Sequence, residues 1–255
     1  MPAAARSSLL TDLHLALVFM TRLPLPPLGT VEPGGLARAM RLFPLVGLVV
    51  GAIGAAAFAL AYQILPAGIA AIIAVAATIA VTGCLHEDGL ADVADGFGGG
   101  GDKPRKLEIM RDSRIGTYGL VVVVLGLLLR VGALAELHDS AAVAVTLIAA
   151  HALSRAVIPA VMLALPPARA DGLGATAGQP DAAVAGIAAT VALVIAAAIL
   201  TPAAATAAVI SAAAGAATVA LLARRHIGGQ TGDVLGAVEQ VAQTAAILGV
   251  LAVVS

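Results

Sequence analysis

The sequence predicts an all-α fold, a polytopic membrane bundle of about seven transmembrane helices with a short N-terminal interfacial or re-entrant helix. Two observations predict it. Of the 255 residues, 60% are hydrophobic and only 11% charged, where a soluble domain carries about 25% charged residues. The charges are also clustered, and the stretches between them reach the roughly 20 apolar residues that a helix needs to cross about 30 Å of hydrocarbon. None of these runs alternates with period two, as barrel strands do.

Taken in order, the first apolar segment, 13–20, is too short to span. No small-residue cleavage site precedes Arg22, so it does not read as a removed signal. The proline-rich stretch 23–27 ends it. Spans are then expected at 42–64, 65–85, 117–137, 141–165, 182–201 and 202–222, with a shorter seventh at 238–254. Arg130, Glu136, His151 and Arg155 are polar residues inside these runs. Ala and Gly are abundant, which lets helices approach closely in lipid and leaves room for a homo-oligomer.

Charge sets the expected orientation. The segments 1–41, 86–116, 166–181 and 223–237 fall on one side and hold twelve of the fourteen Lys and Arg residues. The positive-inside rule puts them in the cytoplasm and the C-terminus outside. Tyr62 and Tyr118 fall near span ends, where interfacial tyrosines belong. No internal repeat marks a transporter built from duplicated halves, and no boundary divides residues 1–255 into more than one domain.

Composition also excludes some functions. A net charge of −1 gives no basic field for nucleic acid, and 2% aromatics give no platform for stacking bases. The single cysteine, Cys84, rules out an internal disulfide or a cysteine-built metal cluster.

The chemistry concentrates in 83–119. Asp88, Asp92 and Asp95 stand at i, i+4 and i+7, within a ~60° arc of one helix face. Three like charges in a row repel one another unless a cation joins them. Mg²⁺ takes carboxylate oxygens and shares itself with substrate phosphates. Gly89, Ala91 and Ala94 leave room beside the row. Gly96 and the glycines 98–101 end the helix. A second helix is expected from Lys103, capped by Asp102, carrying Arg105, Lys106, Arg111 and Arg114 with the fork geometry that suits phosphate. A carboxylate row facing a basic helix fits metal-assisted phosphoryl transfer, with the segment 86–116 as the site. His86 and Glu87 lie off the row, Glu87 as a solvated charge.

Two further features stand out. His151, Ser154 and Arg155 share one face inside a span, where charge is costly and faces an interior. Arg155 has either a functional role or a structural partner, such as Glu239 or an aspartate of the row. For Arg130 a structural or snorkelling role is at least as good a reading. The glycine-rich loop 228–232 follows two arginines and can bring backbone amides to a phosphate. Asp233 opens the last helix, most simply as its cap.

These residues closely resemble the cobalamin 5'-phosphate synthase family, the adenosylcobinamide-GDP ribazoletransferases. The resemblance runs through FMTRLPLP at 19–26, FPLVGLVVG at 43–51, HEDGLADVADG at 86–96 and EIMRDSRIGTYG at 108–119. It continues through SRA at 154–156, DGLG at 171–174 and GGQTGD at 228–233. It implies an Mg²⁺-dependent enzyme of the cytoplasmic (inner) membrane, in contact with membrane lipid, with its site facing the cytoplasm. Its substrates would be adenosylcobinamide-GDP and α-ribazole or its 5'-phosphate. A hydroxyl of the second attacks the phosphorus borne by the cobinamide, and GMP leaves. By the same resemblance Asp88, Asp92 and Asp95 hold the metal and diphosphate, and Asp92 or Asp95 takes the proton. Arg111, Arg114 and Arg155 hold phosphates, and Gln230 and Asp233 contact a nucleotide. The acidic Glu87 departs from the family pattern. Three other readings compete: a CDP-alcohol phosphotransferase, whose Ala-Arg pair after the first aspartates is absent here, a transporter, whose carboxylates would lie at mid-membrane, and a structural subunit of a membrane complex, with the charged loop as its docking surface.

Overall fold

In lipid a chain rich in Ala, Val, Leu and Gly can satisfy its backbone only by hydrogen-bonding to itself, and helices result. The computed structural model describes residues 8–172 and 177–254. It contains α1 (Leu9–Met20), α2 (Gly35–Ala39), a 3₁₀ turn (Met40–Leu42), α3 (Phe43–Ala61), α4 (Ala67–Thr82), α5 (Leu85–Gly99) and α6 (Lys103–Ile109). These are followed by α7 (Thr117–Glu136), α8 (Ser140–Ala164), α9 (Ala182–Ile199), α10 (Pro202–Ile227) and α11 (Gly232–Val254). No strand forms among the described residues; Pro167 and Gln230 make one isolated bridge.

Among the described residues, six helices are long and apolar enough to cross a membrane: the continuous stretch Gly35–Ala61, then α7, α8, α9, α10 and α11. A seventh crossing requires α4 and α5 together, and these meet at 91°. Gly83 and Cys84 take the left-handed conformation there, which closes α4 in the manner of a C-cap. The last helix is longer than the sequence suggested, because it starts at Gly232.

The sequence reading puts 86–116 beyond a finished span, as a loop segment. In the structure, α5 instead packs along α11 and α7 and runs antiparallel to both. Glu87 at its start meets Arg130, well along α7, while Asp95 near its end meets Gly116 and Gly119 where α7 begins.

Small residues set the helix spacings. A side chain at Gly51 would lie 2.7 Å from the Ile148 Cα, and Gly47 meets the His151 carbonyl as closely. The Gly47–Gly51 pair therefore lets α3 lie backbone to backbone on α8. On α10 the buried residues Ala204, Ala208, Ala212 and Ala216 recur every fourth position, forming the stripe that faces α11. Outward, α7 exposes Leu120, Val121, Leu125, Leu128 and Leu129, as a lipid-facing helix must. At the N-terminus, Asp12 is buried and accepts from both Arg38 and Arg41, tying α1 to α2 and the 3₁₀ turn.

A polar core joins the central helices. Arg155 and Glu239 are 1% and 0% exposed and form a 2.7 Å ion pair between α8 and α11. Ser154 donates to the same carboxylate oxygen at 2.8 Å, and Gln240 donates to the other at 3.0 Å. His151 sits between Arg155 at 2.9 Å and Gln243 at 3.0 Å. His86 of α5 lies 3.7 Å from Glu239. Removing one partner of such a pair leaves an uncompensated charge, at a cost of about 3–5 kcal/mol. Glu239→Ala should therefore lower the thermal midpoint in detergent severely, and the double change Arg155→Met with Glu239→Leu should recover most of the loss.

Candidate active site

The site is built on α5, and its acidic residues divide into two pairs. The charges of Glu87 and Asp95 are compensated by the fold. Glu87 is buried 3.6 Å from Arg130. It is not the solvated charge that the sequence suggested, and it gives Arg130 its structural partner. Asp95 is buried as well, and its two oxygens accept from the amides of Gly116 at 2.7 Å and Gly119 at 2.9 Å. Gly116 offers no side chain to cap α7, and the carboxylate of a neighbouring helix takes that role.

Asp88 and Asp92 form the other pair. Among the described residues neither takes a hydrogen bond or an ion pair. Asp88 is exposed and Asp92 half-buried. The charges acting on Asp92 are, in descending order, Asp88, Asp233 and Asp95, opposed by Arg169. Asp233 reaches them because α5 and α11 touch: a side chain at Gly89 would lie 2.7 Å from the Asp233 carbonyl oxygen. Thr231, rather than Asp233, caps α11 by accepting from the Val234 amide at 3.2 Å. This leaves Asp233 to accept from Arg169 at 3.3 Å and Thr231 at 3.2 Å.

Loops from distant parts of the chain enclose the site at this end of the bundle. Pro166 and Ala168 exchange backbone hydrogen bonds with Gln230, both of 2.8 Å. Gln230 is buried; its backbone pins the glycine loop to the end of α8, which brings Arg169 over Asp233. Between α5 and α11 on one side and α1, the 3₁₀ turn, α3 and α8 on the other lies a cavity of about 340 Å³. His86, Asp88, Asp233 and Arg169 line its polar side.

The structure thus brings Asp88, Asp92 and Asp233 together and treats the remaining expected site residues differently. Asp95 is engaged by amides. Arg111 and Arg114 lie beyond α6, which stops at Ile109, although Asp102 caps it as expected through Arg105. Arg111 pairs with Asp171 at 2.6 Å and still acts on Asp233. Arg114 is turned to solvent; its side chain and then its amide hydrogen-bond Asp112, holding that carboxyl below the usual range at about 2. Arg155 is bound into the buried network one helix layer away, with Glu239 as its partner. The motif at 171–174 lies only partly within the described residues. Arg169 and Thr231 are participants that the sequence reading missed; an isolated loop arginine and a threonine beside glycines carry no periodic signal.

Among the described residues, no three His, Cys, Asp or Glu side chains converge closely enough to hold a metal ion. Of the three expected aspartates, Asp95 is turned to α7, where its oxygens accept from the amides of Gly116 and Gly119. Mg²⁺ does not require such a set, since it is commonly bound by one or two carboxylates together with substrate phosphates. The unpartnered oxygens of Asp88 and Asp92 fit that pattern.

Known proteins resemble this chain over most of its length. The family model described as cobalamin-5-phosphate synthase matches residues 12–251. The chain belongs to that family. A relative from Mesorhizobium japonicum is 50% identical over 241 residues, covering 94% of this chain and 92% of its own. One from Bradyrhizobium diazoefficiens is 44% identical, covering 94% and 93%, and one from Azorhizobium caulinodans is 46% identical, covering 96% and 97%. All three carry the name adenosylcobinamide-GDP ribazoletransferase. No solved structure matches. Family membership makes the chain an enzyme of cobalamin synthesis.

The division of acids on α5 predicts opposite effects on stability. Asp95→Ala leaves two amides without an acceptor and should cost about 1–3 kcal/mol. Asp92→Asn removes one of several crowded like charges and should leave the thermal midpoint unchanged or raised. Thermal unfolding of the two variants in detergent checks both.

Proposed function

We propose that this synthase joins α-ribazole, or its 5'-phosphate, to adenosylcobinamide-GDP at the cytoplasmic face of the inner membrane. The observation that carries the reading is the pair of unpartnered carboxylates, Asp88 and Asp92, of which Asp88 lines the cavity together with Asp233 and Arg169. The concentration of basic residues at this end of the chain's topology supports the cytoplasmic orientation.

Asp88 and Asp92 would hold Mg²⁺ with the diphosphate of the donor. When bound, the ion neutralises charge that builds on the phosphate oxygens. Arg169 has one buried guanidinium nitrogen without a partner, Nη1. That nitrogen can donate to a phosphate oxygen while the other holds Asp233. Arg111 reaches the same region and exchanges Asp171 for a phosphate oxygen. Asp92 takes the proton from the attacking ribose hydroxyl, because both Asp95 oxygens are already engaged. The hydroxyl oxygen bonds to the cobinamide-bearing phosphorus. The bond from that phosphorus to the GMP oxygen breaks, and GMP leaves with the electron pair.

Purified protein given both substrates should release GMP with Mg²⁺ and not without it. Asp92→Asn should reduce the rate by about 10²–10⁴-fold, the usual contribution of a general base. GMP release that persists in a folded Asp92→Asn protein removes Asp92 from the chemistry.

A further inference from the structure

We infer that the cavity beside Asp88 is the seat of the acceptor's aromatic base, not of the guanine or the corrin of the donor. The inference rests on the activity proposed above and assigns one of its substrates to a place.

One wall of the cavity is made by Phe19, Met20, Met40, Phe43, Ile158 and Met162. None of these side chains can donate a hydrogen bond, and only the weakly accepting methionine sulfurs are polar at all. The rings of Phe19 and Phe43 lie nearly parallel, 6.2 Å apart at 8°. Aromatic faces and polarizable methionine sulfurs together suit a flat, apolar ring system. Guanine does not meet that description. Its edge carries several donors and acceptors, which the apolar wall would bury at a cost without a partner, the cavity's polar groups, His86, Asp88, Arg169 and Asp233, all lying on the opposite side. Size excludes the corrin: about 340 Å³ is near the small end of the ~300–1,000 Å³ range of ligand pockets and suits a bicyclic heterocycle. A benzimidazole-type base, joined through one ring nitrogen to ribose, offers a single remaining polar atom.

Position supports the same assignment. Asp88 and Asp233 line the cavity that the apolar wall closes. A base seated against Met40 and Met162 leaves its ribose at the carboxylates, where Asp92 meets the attacking hydroxyl. The donor's diphosphate then approaches from the side of Arg169 and Arg111. Three methionines in one wall also let it adapt to bases of somewhat different outline.

The test separates the two substrates. KM is measured for each in wild type and in Met162→Phe, with free benzimidazole added to the wild type as an inhibitor. The assignment expects Met162→Phe to raise KM for α-ribazole 5'-phosphate about tenfold, the lower range for a misfitted apolar pocket. The donor KM should stay within about twofold. Benzimidazole should compete with the acceptor and not with the donor. If Met162→Phe does not fold, the inhibition pattern decides alone. A change confined to the donor KM, competition with the donor, or no competition with either substrate overturns the assignment while leaving the activity in place. A wild-type protein that turns over neither substrate overturns the activity and this assignment together.

Discussion

A helix bearing four acids has to be held inside a bundle with very little charge to offer, and the rest of the structure follows from how that is done. Two of the acids on α5 are compensated by the fold, Glu87 by Arg130 and Asp95 by the opening amides of α7. These contacts lie at opposite ends of the helix and fix its height and rotation against α7. Gly89 then admits the backbone of Asp233, which fixes α5 against α11. With the helix locked, Asp88 and Asp92 stay one turn apart on the face that Asp233 approaches. Mutual repulsion is thus built into the fold, and a divalent cation with a phosphate is the chemistry that relieves it.

The buried network around Glu239 serves the same end from below. It joins α8, α11 and the start of α5 through His86, Arg155 and Ser154. In lipid such a set is specific because every alternative packing strands a charge. The network therefore keeps α11, and with it Asp233, in register with the acidic helix. Apolar helices alone, separated mainly by Ala and Gly, would slide more easily past one another.

Much of this was legible in the sequence, for physical reasons that differ from element to element. The spans could be read because length and charge depletion are local properties; α7 and α8 fall almost where the apolar runs put them. The aspartate row could be read because helical spacing alone puts Asp88, Asp92 and Asp95 on one face. What the sequence could not show was which carboxylate another helix would satisfy. Asp95, unlike Asp88, is buried and meets Gly116 and Gly119, a contact across more than twenty residues. Arg155 and Glu239 are similarly remote, so an arginine in a span reads first as a functional residue, with a structural pair as the alternative. Arg169 became visible only once the Pro167–Gln230 bridge laid one loop on another. The 91° turn after α4 escaped because Cys84, not a second glycine, adopts the left-handed conformation beside Gly83.

The central claim is that Asp88 and Asp92 form a half-made cation site that substrate phosphates complete. Binding of Mn²⁺, followed by electron paramagnetic resonance on the purified protein with and without adenosylcobinamide-GDP, tests it without requiring turnover. The account predicts weak binding to the protein alone, marked tightening when the donor is present, and loss of both in a folded Asp88→Asn, Asp92→Asn double variant. Equal Mn²⁺ binding by that variant and the wild type would contradict it.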